Sequence, residues 1–150
     1  MIPKQWHNAI DVINSIEQAG FEAFIVGGAV RDYYLTKENH DVDIATSALP
    51  EEIQAIFPYT IDVGIEHGTV LVMHNGEPIE VTTYRTETTY SDHRRPDAVH
   101  FVRNLAEDLK RRDFTMNAMA LSQTGEYIDL YEGRRHIDEQ LICAVGIAEE

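Results

Sequence analysis

The sequence predicts an α/β (α+β) fold in which a small mixed β-sheet is flanked by helices. Three observations carry this prediction. Apolar residues Trp6, Ala9, Ile10, Ile13 and Ile16 recur at helical spacing. The stretch "GTVLVMHNGEPIEVTTYR" (68–85) reads as two strands joined at Asn75-Gly76, a dipeptide that suits a tight hairpin turn. Between them, "FEAFIV" (21–26) and "AVRDYYL" (29–35) form a strand–helix unit interrupted only by Gly27-Gly28.

The remaining elements follow in order. Gly20 ends the first helix. "DVDIAT" (41–46) is a strand, and "SALPEEIQAIF" (47–57) is a loop with a short helix whose first turn holds Pro50. "TIDVG" (60–64) is a short extended piece. Residues 86–97, "TETTYSDHRRPD", are polar and aperiodic and are expected to form a loop. "AVHFV" (98–102) alternates as a strand does. Asn104 is placed to cap a helix over "LAEDLKRR", with Glu107 completing a capping box and the terminal bases suiting the helix dipole. "HIDEQLICAVG" (136–146) reads as a short helix and a strand. No internal repeat or linker is evident, so the 150 residues are expected to form one domain.

Composition narrows the function classes. At 43% hydrophobic residues the chain can bury a core. No apolar run approaches the roughly 20 residues of a membrane helix, and "MIPKQWHNAI" lacks the layout of a signal peptide. Cys143 is the sole cysteine, which excludes an internal disulfide and fits a cytoplasmic setting. A net charge of −14 argues against general nucleic-acid affinity. The charge is uneven, however: residues 85–113 hold seven of the twelve Lys/Arg and are net +1. The seven histidines show no metal-ligand spacing, and neither a P-loop nor a G-x-S-x-G motif is present.

Candidate chemistry centres on "HDVDIATSA" (40–48). On a strand, Asp41 and Asp43 project from one face. Two bare carboxylates so close repel one another, and a divalent cation such as Mg²⁺ removes the conflict. A solvated strand end is the competing explanation. Gly27 and Gly28 allow a ligand close to the backbone, with phosphate a natural occupant and Arg31 one turn on to pair with it. A tight turn needing positive φ explains the same glycines without a ligand. Asp32 is either a surface acid or the partner of Arg31. Glu80, in "IEVTTYR", offers a third carboxylate on the face of Thr82 and Tyr84 if Ile79 and Val81 point into the core. Lys110, Arg111, Arg112 and Asp113 suit phosphate and ribose hydroxyls, or else simply end a basic helix.

Taken together and in this order, "GGAVRDYYL", "DVDIATSALPEEI", "DVGIEHGTV", "EVTTYR", "SDHRRPD" and "EDLKRRDFTMNAMA" resemble the N-terminal head domain of the class II tRNA nucleotidyltransferases, the CCA-adding enzymes. The resemblance implies a nucleotidyltransferase sheet flanked by helices. It implies CMP and AMP transfer from CTP and ATP to the 3′ end of tRNA, with Mg²⁺ as cofactor. By motif, Asp41 and Asp43 bind metal and activate the acceptor hydroxyl, and Glu80 takes the place of the third carboxylate. Gly27, Gly28 and Arg31 contact the triphosphate, while Arg111, Arg112 and Asp113 hold triphosphate or ribose. Bacterial poly(A) polymerases share this head but usually carry a glycine–basic–arginine signature before the third carboxylate, which "FPYTIDVGIEHGTVLVMHNGEP" lacks. The length of "TETTYSDHRRPD" favours an enzyme able to add A over one adding only CC; A-only addition stays open. The family's base-selecting neck is expected after "AVGIAEE", and its body and tail after that. The 150-residue chain is therefore expected to act as a catalytic head with weak activity, or as an inactive nucleotide-binding fragment.

Overall fold

The structure, a computed structural model, describes residues 4–37, 42–89 and 96–145. After a 3-10 turn at Lys4–Trp6, helix α1 (His7–Gln18) buries Ala9, Val12, Ile13 and Ile16, and Gly20 ends it at φ +97°. The elements β1 (Ala23–Val26), α2 (Gly28–Tyr34), β2 (Asp43–Thr46) and α3 (Pro50–Ile56) follow. Then come β3 (Thr60–Asp62), β4 (Thr69–His74), β5 (Glu77–Thr83), β6 (Arg85–Thr89) and β7 (Pro96–Phe101). Helix α4 (Leu105–Lys110), β8 (Ala120–Leu121), β9 (Tyr127–Ile128) and α5 (Gly133–Asp138) complete the described chain.

Seven of these strands form one sheet in the order β3-β4-β5-β2-β1-β8-β9. Only β2 and β5 run parallel among the described strands; the other pairings are antiparallel. The mixed α/β architecture expected from the sequence is thus present, with helices on both faces of the sheet.

Strand alternation divides the sheet residues between two cores. Ile25, Ile44, Val70, Val72, Ile79, Val81 and Leu121 point to the face covered by α1, α2 and α3. Each aliphatic side chain fully buried there contributes roughly 1.5–3 kcal/mol. Val26, Ala45 and Ala120 point the other way, against Leu105 and Leu109 of α4 and the fully buried Tyr84. This second core is smaller and leaves part of its face open, and the open part carries the candidate site.

Buried polar groups lock the end of β2 that lies away from that opening. The Thr46 hydroxyl donates to the Glu22 carbonyl at 2.6 Å, and the Thr83 hydroxyl donates to the Ala48 carbonyl at 2.7 Å. The Ser47 hydroxyl accepts the Glu22 N–H at 2.9 Å. Tyr84 donates to Glu22 Oε1 at 3.1 Å; burial, then the neighbouring carboxylate, pushes its phenol pKa upward, so it stays a donor.

Four expectations need correction. Residues 86–97 are not all loop: Arg85–Thr89 pairs with Pro96–Phe101 as the antiparallel hairpin β6–β7. Backbone pairing needs no apolar alternation, so a Thr-rich polar strand is invisible to periodicity. Helix α4 stops at Lys110, and Arg111 and Arg112 lie in the turn after it rather than within it. Asn104 does cap α4 by accepting the Ala106 N–H at 2.7 Å, but no return bond from Glu107 is found among the described residues. Finally, among the described residues the C-terminal segment up to residue 145 forms an isolated bridge between Phe114 and Ala144 and no strand.

Candidate active site

Register places the two described carboxylates. Asp43 opens β2 and stands opposite Glu80 of β5 in the parallel pair, so both project from the same face. Both residues are exposed while their neighbours Ile44 and Val81 are buried, as Glu80 requires if Ile79 and Val81 are to fill the core. Asp41 lies outside the described residues. Among the described residues no group of three or more His, Cys, Asp or Glu could hold a metal ion. Asp43 and Glu80 are nevertheless hard oxygen donors facing one space, a donor set that fits a divalent cation sharing further ligands with a phosphate.

That space is a cavity of about 290 Å³. Asp43, Ala45, Glu80, Thr82 and Thr69 line it from one face of the sheet, and Arg111 and Arg112 from the turn after α4, with Arg85 following β5. The two threonine hydroxyls are 3.0 Å apart across β4 and β5. Carboxylates facing guanidiniums across a small polar cavity suit a ligand that is itself polyanionic and metal-bearing.

Two of the guanidiniums, those of Arg111 and Arg112, are held by Asp108, which the sequence pattern does not single out. Asp108 of α4 is 1% exposed. Its Oδ1 accepts from Arg111 Nε at 3.4 Å and from the Arg85 backbone N–H at 3.0 Å, and its Oδ2 accepts from Arg112 at 3.0 Å. A buried carboxylate is costly unless paired, and here two arginines pair it. The signal lay in "DLKRR", where an acid precedes bases by three and four residues. The same spacing also suits the helix dipole. Because the helix ends at Lys110, the two arginines curl back over Asp108 and into the cavity.

Arg112 also links the cavity to the glycine turn. Gly27 sits between β1 and α2 at φ +77°, ψ −142°, a conformation open essentially to glycine alone. A Cβ there would lie 3.6 Å from an Arg112 terminal nitrogen, and a Cβ on Gly28 would lie 3.3 Å from Arg31 Nη2. Two guanidiniums therefore lie directly against the turn. Arg31 is steadied by Asn117 Oδ1 at 2.9 Å and Asp32 Oδ1 at 3.2 Å, so Asp32 is its partner. Arg112 Nε is buried with no hydrogen-bond partner among the described residues, a donor that a ligand oxygen could satisfy. Asp113 is exposed and does not line the cavity; its backbone carbonyl accepts from Val145 N–H at 3.2 Å.

The fold and this constellation agree with the family comparison, in which residues 23–143 match the poly A polymerase head domain. The chain belongs to that family. As a poly A polymerase head domain, it is 60% identical over 149 residues to the CCA-adding enzyme of Enterococcus faecalis, covering 99% of this chain and 37% of the relative. It is 57% identical over 149 residues to the CCA-adding enzyme of Streptococcus pneumoniae, with the same coverages. The CCA-adding enzyme of Bacillus stearothermophilus, solved in complex with CTP, superposes with a TM-score of 0.87 at 50% identity. That match covers 97% of this head and 34% of the solved chain. The chain thus spans about 37% of the length of the curated relatives it matches. Metal dependence is general in this nucleotidyltransferase family. No described helix is long and apolar enough to cross a membrane.

Proposed function

We propose that this chain is the single-domain catalytic head of a cytoplasmic CCA-adding tRNA nucleotidyltransferase, transferring CMP and AMP from CTP and ATP to the 3′ end of tRNA. The observation that carries the reading is the Asp43–Glu80 pair facing Arg111 and Arg112 across one cavity. The names of the relatives support the same activity.

In the proposed reaction the 3′-hydroxyl oxygen of the RNA attacks the α-phosphorus of the nucleotide. A new P–O bond forms, the bond to the β-phosphate oxygen breaks, and pyrophosphate leaves. Asp43 and Glu80, with Asp41, would hold Mg²⁺. Bound there, Mg²⁺ supplies activation of the attacking hydroxyl and neutralisation of the charge that develops on the phosphates. Gly27 and Gly28 let the triphosphate approach the backbone. Arg31 and Arg112, lying against those glycines, pair with its oxygens as planar forks. Arg111 faces the same ligand from the cavity wall. Asp108 touches no reacting group; it positions Arg111 and Arg112 so that little reorganisation is needed when the nucleotide binds.

The test is a titration of CTP and of ATP with and without Mg²⁺, on the wild type and on Asp43→Ala and Glu80→Gln. Metal-dependent binding in the wild type and its loss in both variants is the expected result. Equal metal-dependent binding in all three would overturn the reading.

A further inference from the structure

The sheet face that carries the carboxylates continues past them. Glu80 pairs with Leu71 of β4, and Leu71 pairs with Ile61 of the edge strand β3. Across the strands the row therefore runs Val26, Asp43, Glu80, Leu71, Ile61 on one face. Each step is one strand spacing, about 4.8 Å, which puts Ile61 about 10 Å from Glu80. Ile61 is 39% exposed and Tyr59, two residues before it, 61% exposed. Leu71 and Met73 on β4 are half-buried and belong to neither core. On this part of the sheet the opposite face is packed by helices, while α4 lies over the other end of the row.

The chemistry on either side of the carboxylates is therefore different. Toward β1 lie the glycine turn and the two arginines against it, Arg31 and Arg112. Toward β3 lies an apolar strip with an aromatic ring at its end. In-line displacement places the attacking oxygen opposite the leaving oxygen. If the leaving pyrophosphate is held at the glycine turn by Arg31 and Arg112, the attacking nucleotide arrives from the side facing away from that turn. Its 3′-oxygen must reach the carboxylates while its base lies over whatever comes next on the sheet, and a base is a flat apolar ring system that stacks on aromatic and aliphatic side chains without needing sequence-specific hydrogen bonds.

We propose that Ile61, Leu71 and Tyr59 form the platform on which the 3′-terminal base of the RNA acceptor rests. The proposal depends on the nucleotidyl-transfer reading and adds to it the seat of the second substrate. The strip binds the base, and the carboxylates receive the hydroxyl attached to the same nucleotide. Because the contact is apolar, it tolerates either a pyrimidine or a purine at the growing end.

The experiment uses this chain with Mg²⁺, CTP and an acceptor-stem RNA hairpin whose 3′-terminal nucleotide is 4-thiouridine. Irradiation followed by mass spectrometry locates the crosslinked peptide. The expected crosslink lies within Tyr59–Met73, saturates with RNA, and falls roughly tenfold in Ile61→Glu, in line with the loss of a base-stacking contact. A second variant, Tyr59→Ala, reduces it without adding charge. CTP affinity, measured on the same samples, stays within about twofold of wild type in both variants, which also shows that they fold. A saturable crosslink outside Tyr59–Met73, no saturable crosslink, or an undiminished crosslink in both variants overturns the platform. If CTP binding still requires Mg²⁺ and Asp43 in that case, the site reading survives; if it does not, both fall.

Discussion

Asp43 and Glu80 face one another across the parallel strand pair of the sheet, although 37 positions separate them in the chain. Their register is fixed by the buried partners beside them, Ile44 opposite Val81, because a one-residue slip of either strand would turn that strand's carboxylate into the core. Replacing Glu80 by Gln keeps shape and removes charge. Metal-dependent CTP binding is expected to weaken by at least about tenfold, with the unfolding midpoint unchanged or slightly raised as a like-charge contact is relieved. Calorimetric titration and urea unfolding on the same samples check both halves.

Asp108 is a structural anchor with a functional consequence. Asp108→Ala leaves Arg111 and Arg112 without their carboxylate. Loss of one partner of a buried ion pair costs about 3–5 kcal/mol; both arginines keep roughly a fifth of their side chain in water, so the lower end, about 3 kcal/mol, is expected here. Urea unfolding measures it. Nucleotide affinity should fall as well, and Asp108→Asn, which can still accept one hydrogen bond, should fall between wild type and alanine on both scales.

Gly27 tests the turn separately from the charges. A Cβ at this position meets Arg112 only at ordinary contact distance, so crowding is not the obstacle. The backbone is, since φ +77° with ψ −142° is unfavourable for an L-residue. Gly27→Ala is expected to cost about 1–3 kcal/mol or to rotate α2, and in either case to weaken nucleotide binding. Gly76 at the β4–β5 turn has open space and lies away from the site, so Gly76→Ala costs stability there without changing CTP affinity.

Core packing gives a control independent of function. Ile25 is fully buried between the sheet and its helices, and Ile25→Ala should destabilise by about 2–5 kcal/mol in urea unfolding. A cost below about 1 kcal/mol would contradict the packing described for that face.

Glu52 predicts a pH dependence. Its carboxylate accepts the Leu49 N–H at 2.7 Å and pairs with Arg103, and the backbone hydrogen bond foremost lowers its pKa. A depressed pKa means that the unfolded chain takes up the proton first on acidification. The contribution is therefore present above the ordinary glutamate value of about 4.3 and is lost as pH falls through the lower folded value. In Glu52→Gln this part of the acid sensitivity disappears; thermal melts between pH 3 and 7 on both proteins (roughly spanning that window) compare them.

Much of the fold was legible because its signals are local. The 3.6-residue period of α1, the Asn75-Gly76 turn and the Gly27-Gly28 break each follow from a few adjacent residues and their backbone preferences. The sequence also determined which residue types were candidates: Asp43, Glu80, Gly27, Gly28, Arg31, Arg111 and Arg112 all stand at or beside one site, while Asp113 stays outside the cavity and Asp41 outside the described residues. Strand β6 escaped because its polar residues carry no period, whereas its partner β7 alternates and is legible. Only tertiary structure decided that Glu80 would face Asp43, that Asp108 would hold two arginines in the cavity, and that an apolar strip would extend beyond the carboxylates toward β3. These are relations between strands and turns distant in sequence. They are set by sheet order and by the early end of α4, where register and burial of the whole core choose among pairings that the local residues leave equal.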